Sequence, residues 1–211
     1  GIALAVVLIP WGIRNQVAIG KFSVTTTHGG YTLLLGNNPY FYRHLRDRPW
    51  GEVWDATELQ HELARGDSRP ASESGRSEHA ELTRDRRNYE MARRTIQQQP
   101  GMFVYSSLVR IGRLWSPLPH RVTADESTAR RWMRYVVAAW YLGTLVAAFV
   151  GAAVLRGRLW RTPWVWALLL CCAFTAVHSV YWSNMRMRAP LMPAIYLLAV
   201  STLRFRSAKR D

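Results

Sequence analysis

The residues best able to do chemistry lie near the C-terminal end, in SNMRMRAPLMP (183–193). Arg186 and Arg188 carry two guanidinium groups, and Ala189 precedes a proline, which disfavours the α region and pushes it toward an extended backbone. If the extension reaches back to Arg186, the two side chains share one face at a period of two. Two planar forks on one face suit a phosphate or pyrophosphate group. Arginines gripping ordinary phospholipid headgroups would show the same pattern. A second group lies near the N-terminal end. Arg14 and Asn15 follow an apolar segment, and TTTHGGYTLLLGNNPYF (25–41) packs hydroxyls, glycines and amides around a short apolar run. Gly29 and Gly30 permit positive φ and close approach of the backbone to a ligand. Thr26 offers a hydroxyl, and Asn37 and Asn38 offer paired donors and acceptors. Such groups suit a sugar or its phosphate, and they are equally the residue types of a turn with capping side chains.

Other chemistries lack their residues. No spacing resembles an activated nucleophile triad, and there is no phosphate-cradling loop, dinucleotide fingerprint or zinc motif. His28 reads as a surface histidine beside Gly29, and His178 as a helix-contact residue late in an apolar run. Asp47, Asp55 and Glu58 read as solvated acids. Cys171 and Cys172 are adjacent inside an apolar run, where free cysteine behaves as a small hydrophobe; they form neither a disulfide framework nor a metal spacing. No cofactor is evident, and a divalent metal has no ligand set to hold it.

The elements that must position these residues follow from an uneven charge distribution. The 211-residue chain has a formal net charge of +14 and a mean hydropathy of -0.12, an average over two unlike parts. Residues 11–130 hold 17 basic and 13 acidic side chains; residues 131–211 hold 11 basic and one acidic. The excess positive charge therefore lies in the apolar part, whereas a nucleic-acid binder concentrates it on a soluble face. This excludes nucleic acid as the expected partner.

A hydrocarbon core needs about 20 apolar residues to cross. Stretches at about 133–155 and 162–182 meet that length, and 189–203 is a shorter third, helped by Arg188 and Arg204 snorkelling at its ends. Arg156, Arg158 and Arg161 fill the link between the first two spans, and Arg204, Arg206, Lys209 and Arg210 fill the tail. The positive-inside rule places both clusters on the cytoplasmic side, which puts the large polar segment outside. Trp11, Trp132, Trp160, Trp164 and Trp182 suit interfacial anchoring.

The expected organisation is the end of a truncated span at 1–11, an outward loop domain at 12–131, three transmembrane helices within 132–203, and a basic cytoplasmic tail at 204–211. The fold class is mainly α: multi-pass transmembrane helices with one large outward-facing loop domain containing amphipathic helices. Within that loop, GNNP (36–39) signals a turn and 65–76 a mobile surface loop. Residues 78–99 read as a helix with a thin apolar stripe. PG (100–101) breaks it, and 102–115 read as a second helix with Ser106, Ser107, Arg110 and Arg113 on one narrow polar arc. That helix can lie in the membrane interface with its arginines toward water, or pack on the rest of the loop domain.

The order of motifs resembles a known family. PWGIRN (10–15), GKF (20–22), TTHGG (26–30), LGNNP (35–39), PGMF (100–103), RLWSP (113–117) and MRMRAPLMP (185–193) look like segments of bacterial polytopic glycosyltransferases of the GT-C superfamily. The similarity is to family 39, the dolichyl-phosphate-mannose–protein mannosyltransferases, and to the aminoarabinose transferases. Met187 stands where the family usually has an aromatic residue. The resemblance implies an inverting transferase with a polyprenyl-phosphate sugar donor, an outward-facing site in a bacterial inner membrane, and a lipid, glycan or protein acceptor. It implies a catalytic acid in a first outer loop that this sequence does not contain, so the catalytic residue stays unknown. Some members use a divalent metal and others do not. On this reading Arg186, Arg188 and Arg14 bind the lipid phosphate, and Asn15, Thr26, Gly29, Gly30, Asn37 and Asn38 are donor-loop candidates. The alternative is a non-catalytic multi-pass lipid-binding scaffold or flippase component.

Overall fold

The computed structural model describes residues 2–20, 22, 24, 28–49, 51–67, 78–121 and 125–207, with backbone alone for 19, 66–67, 78–80 and 202–207. Among the described residues the regular structure is entirely helical, as the mainly-α expectation holds. Thr26 and most of the surface loop expected at 65–76 lie outside the described residues. The chain divides into two compact units, Gly1–Asp47 with Trp54–Ser106, and Arg48–Val53 with Ser107–Asp211. The division falls between Ser106 and Ser107 and not at residue 131, where composition changes.

The first unit contains α1 (Ile2–Ile19), α2 (Gly29–Gly36), α3 (Pro39–Asp47), α4 (Thr57–Asp67) and α5 (Glu78–Gln98). The apolar run expected to end at residue 11 continues as α1 to Ile19, so Arg14 and Asn15 sit on a helix rather than in a loop. Pro10 lies within α1. Leu34, Leu59 and Ala92 form the small buried core, with Tyr40, Trp54 and Leu63 packed against it. α2 lies close against α5. A Cβ at Gly30 would collide with the carbonyl oxygen of Asp85, and one at Gly29 with the Tyr89 hydroxyl. These glycines give a close helix contact.

The second unit contains α7 (Thr128–Leu155), α8 (Trp164–Val180) and α9 (Met192–Ser207). α6 (Pro100–Trp115) follows the break at Gln99 and belongs to both units in sequence. Ser127 caps α7, its hydroxyl accepting from Arg130 N at 3.4 Å. Ala148, Leu191 and Ile195 form the core, ringed by Trp115, Leu145 and Phe174. α7 and α9 approach closely at Gly151, where a Cβ would run into the Leu198 carbonyl.

Among the described residues one helical stretch, Thr128–Trp160, is long and apolar enough to cross a membrane; its most apolar window is 11% buried. α8 and α1 are shorter apolar helices. The polar arc of α6 is turned opposite to expectation. Ser106, Arg110 and Arg113 are buried, while Val104, Tyr105 and Leu108 are exposed. Arg110 points inward to a carbonyl at the end of α8, and Arg113 to the Trp182 ring.

Candidate functional site

In the second unit, buried guanidinium groups bind the carbonyls left over at helix C-termini, four of which lack intrahelical partners in any helix. Arg110 is fully buried; its Nε donates to Ser179 O at the end of α8, 2.8 Å, and its Nη2 donates to Ser107 Oγ, 3.0 Å. Arg188 closes α6 in the same way, its Nη1 donating to Leu114 O at 3.2 Å and Ser116 O at 2.8 Å. A cation there also complements the helix dipole. The Arg188 guanidinium carbon lies 4.4 Å from the centre of the Tyr141 ring, a cation–π contact. Its Nε and Nη2 are buried and make no hydrogen bond, and among the described residues no carboxylate pairs with it. Arg113 lies 5.8 Å from the centre of the Trp182 ring.

Arg186 and Arg188 do not share a face. Residues Met185–Leu191 form a 3-10 helix, not an extended strand. Asn184 starts it, its Oδ1 accepting from Arg186 N at 2.9 Å. At about three residues per turn, positions two apart point to different sides. Arg186 is exposed and Arg188 is 1% exposed. The side-chain cap and the anchored guanidinium outweigh the bias imposed by Pro190.

His120, in the segment after α6, is held below its ordinary 6.5 by burial, with further lowering from Arg113 and Arg134. Arg134 pairs with Glu126 at 3.0 Å and donates to Pro119 O at 3.3 Å, tying that segment to α7. Sequence reading missed His120 and the Arg134–Glu126 pair, which no local pattern marks.

In the first unit, the expected donor-loop residues have structural partners. Asn37 Nδ2 donates to Leu33 O at 2.9 Å, and Asn37 Oδ1 accepts from the Tyr42 hydroxyl at 3.1 Å. Asn38 Nδ2 donates to Leu34 O and Leu35 O at 2.9 and 3.1 Å, and its Oδ1 accepts from Phe41 N at 2.8 Å. Both amides are fully buried, so they join α2 to α3 and do not face a ligand. Gly30 N donates to Asp85 Oδ1 at 2.7 Å, so a carboxylate of α5 caps α2, whose own preceding residue provides no side-chain cap. Arg14 is exposed, 5.1 Å from the centre of the Trp11 ring, and donates through Nη1 to Asn15 Oδ1 at 3.1 Å; Asn15 is buried. Arg14, Asn15, Gly29, Gly30, Asn37 and Asn38 belong to the first unit; Arg186 and Arg188 belong to the second.

Sequence reading also passed over a cavity of about 340 Å³ in the first unit, lined by residues of α2 and α5 among others. Among the described residues no group of three or more His, Cys, Asp or Glu is placed to hold a metal ion. No protein-family model, curated protein or solved structure matches the chain.

Proposed function

We propose that this chain forms part of an inverting, multi-pass membrane glycosyltransferase that moves a sugar from a polyprenyl-phosphate donor to a lipid, glycan or protein acceptor on the outer face of a bacterial membrane. The transferase class rests on the order of motifs that resembles the GT-C family. The observation that carries the site is Arg188: a buried guanidinium stacked on Tyr141, with one nitrogen on helix carbonyls, no hydrogen bond from the other two nitrogens and no carboxylate opposite. A buried charge is costly unless paired, and an oxyanion is the partner that two free N–H groups of a fork would take. Exposed apolar side chains support the membrane setting. Phe149, Trp140 and Val146 on α7 and Trp166 and Leu169 on α8 are all more than half exposed.

In this mechanism Arg188 holds the phosphate and stabilises the charge that develops on it as the sugar departs, which is electrostatic catalysis. Arg186, exposed on the neighbouring side of the 3-10 helix, contacts the donor from solvent or headgroup. The test is sugar transfer by the full-length protein in proteoliposomes, with polyprenyl-phosphate-linked hexoses and pentoses as donors. Charge-assisted contacts contribute about 1.5–3 kcal/mol each, so Arg188→Ala should lower turnover about 10- to 100-fold. Arg188→Lys should recover only part of it, because it keeps the charge and loses the fork. Arg186→Ala should lower turnover while leaving the unfolding midpoint unchanged. Undiminished turnover in Arg188→Ala at matched expression, or no turnover of any donor by the wild type, would sink the proposal.

A further inference from the structure

In the second unit an open groove of about 430 Å³ runs along the last turns of α7, lined by Phe149, Val150, Ala153, Val154 and Arg156. The four apolar residues follow at i, i+1, i+4 and i+5 and so lie along one face of the helix, with Arg156 just beyond them. Phe149, Val150 and Ala153 are exposed. At 1.5 Å per residue, the step from Phe149 to Arg156 is about 10 Å. That lies within one leaflet, half of a hydrocarbon core about 30 Å thick. Arg156 is exposed, as are Arg158 and Arg161 in the turn that follows, and among the described residues none of the three forms an ion pair. Between Ser127 and Arg210 the sequence holds no Asp or Glu, so α7, α8 and α9 supply no counter-charge. The backbone at Arg156 has φ 38°, although Gly157 is the next residue. Helices that close with positive φ usually do so on glycine, and a Cβ is disfavoured there by its carbonyl contact. Conformations of this kind gather at ligand sites.

An anionic phospholipid has the complementary form. Its acyl chain matches the apolar floor, and its phosphate oxygens match the guanidinium fork. A second protein helix would cover the floor but would need an acid of its own opposite Arg156. We propose that the groove at the C-terminal end of α7 binds one anionic phospholipid, an acyl chain lying along Phe149, Val150, Ala153 and Val154 and the phosphate on Arg156. Arg158 and Arg161 add attraction for the negative headgroup. The proposal rests on the transferase reading only for the membrane setting of α7. Lipid binding is measured without a sugar donor, so transfer and lipid binding can fail separately.

The test is native mass spectrometry of the full chain in detergent, titrated with phosphatidylglycerol or with phosphatidylcholine of the same acyl chains. One phosphatidylglycerol should be retained more tightly than phosphatidylcholine. Arg156→Gln should weaken its binding about fivefold, the contribution of one arginine near an anionic headgroup. Ala153→Trp, at an exposed position on the floor, should fill the groove and abolish that binding. Arg131→Gln, exposed at the opposite end of α7, should leave it unchanged. Far-UV circular dichroism checks that each variant is folded; should Ala153→Trp not fold, Arg156→Gln set against Arg131→Gln decides. Equal affinity for the two lipids, undiminished binding in Arg156→Gln or in folded Ala153→Trp, or an equal loss in Arg131→Gln overturns the site. A dimer that Ala153→Trp dissociates would put a second copy of the chain in the groove and overturns it as well.

Discussion

At Asn38 a single buried amide joins two helices. It returns two donor bonds to the last turn of α2 and accepts the Phe41 N–H in the first turn of α3, with Pro39 at the first helical position, where no N–H is needed. Asn38→Ala should therefore cost about 1–2 kcal/mol, the usual loss for an N-cap, and more if the Leu34 carbonyl stays buried without a donor. Asn38→Ser should recover part by keeping the acceptor. Chemical denaturation followed by helical circular dichroism measures both; an unchanged midpoint in Asn38→Ala would refute the capping role. The residue types here were legible in the sequence, and so was the turn at 36–39. What the amides bond to was not, because burial of Asn37 and Asn38 comes from packing that no local pattern encodes. Arg188 carries the same lesson. Its type pointed to an anion, while the proline rule pointed to an extended backbone that the Asn184 cap and the carbonyls of Leu114 and Ser116 override.

Helices were the most legible level, since hydrophobic period and Pro/Gly breaks survive tertiary packing. α5, expected over 78–99, forms over Glu78–Gln98, and the helix expected over 102–115 forms over Pro100–Trp115. Which side of α6 faces inward was not legible. Periodicity finds a polar arc but does not say whether water or unpaired carbonyls will satisfy it, and here Arg110 turns in to Ser179 O. Contacts between helices are likewise written in residues too small to read alone. Gly143 and Gly151 both lie in α7, yet a Cβ at Gly151 meets the Leu198 carbonyl while one at Gly143 meets nothing within 4 Å. Alanine favours a helix over glycine by about 1 kcal/mol, so Gly143→Ala should stabilise by up to that amount. Gly151→Ala should destabilise, because overpacking costs about 1–3 kcal/mol and a backbone carbonyl cannot swing aside as a side chain can. Unfolding in a fixed detergent compares the two variants. Equal midpoints would mean that α7 and α9 do not meet at Gly151.

At the scale of the whole molecule, the described residues bury several polar side chains beside apolar ones and leave many large apolar side chains exposed. Arg110, Arg188, Asn37, Asn38 and Ser183 are among the least exposed residues, and Ile2, Val7, Val17, Phe149 and Trp160 among the most. Exposed apolar side chains on α7 are costly in water, which favours the membrane setting proposed for that helix. Arg156, Arg158 and Arg161 follow α7 within six residues and have no acidic neighbour in the sequence; in the membrane setting proposed above, the positive-inside rule assigns that end to the cytoplasmic side. The opposite end of α7 and the polar segment before it should face outward. Gln60→Cys, at an exposed position on α4, should react with a membrane-impermeant maleimide in intact cells. Gly157→Cys, exposed in the arginine-rich turn after α7, should react only once the cells are lysed. Both variants are made with Cys171 and Cys172 replaced by alanine to remove background labelling. Labelling of Gly157→Cys in intact cells, with Gln60→Cys protected, would reverse the orientation and place the polar segment away from the donor's outer leaflet. Labelling of neither until lysis would remove the membrane crossing from α7 and with it the setting in which a lipid-linked donor could reach Arg188.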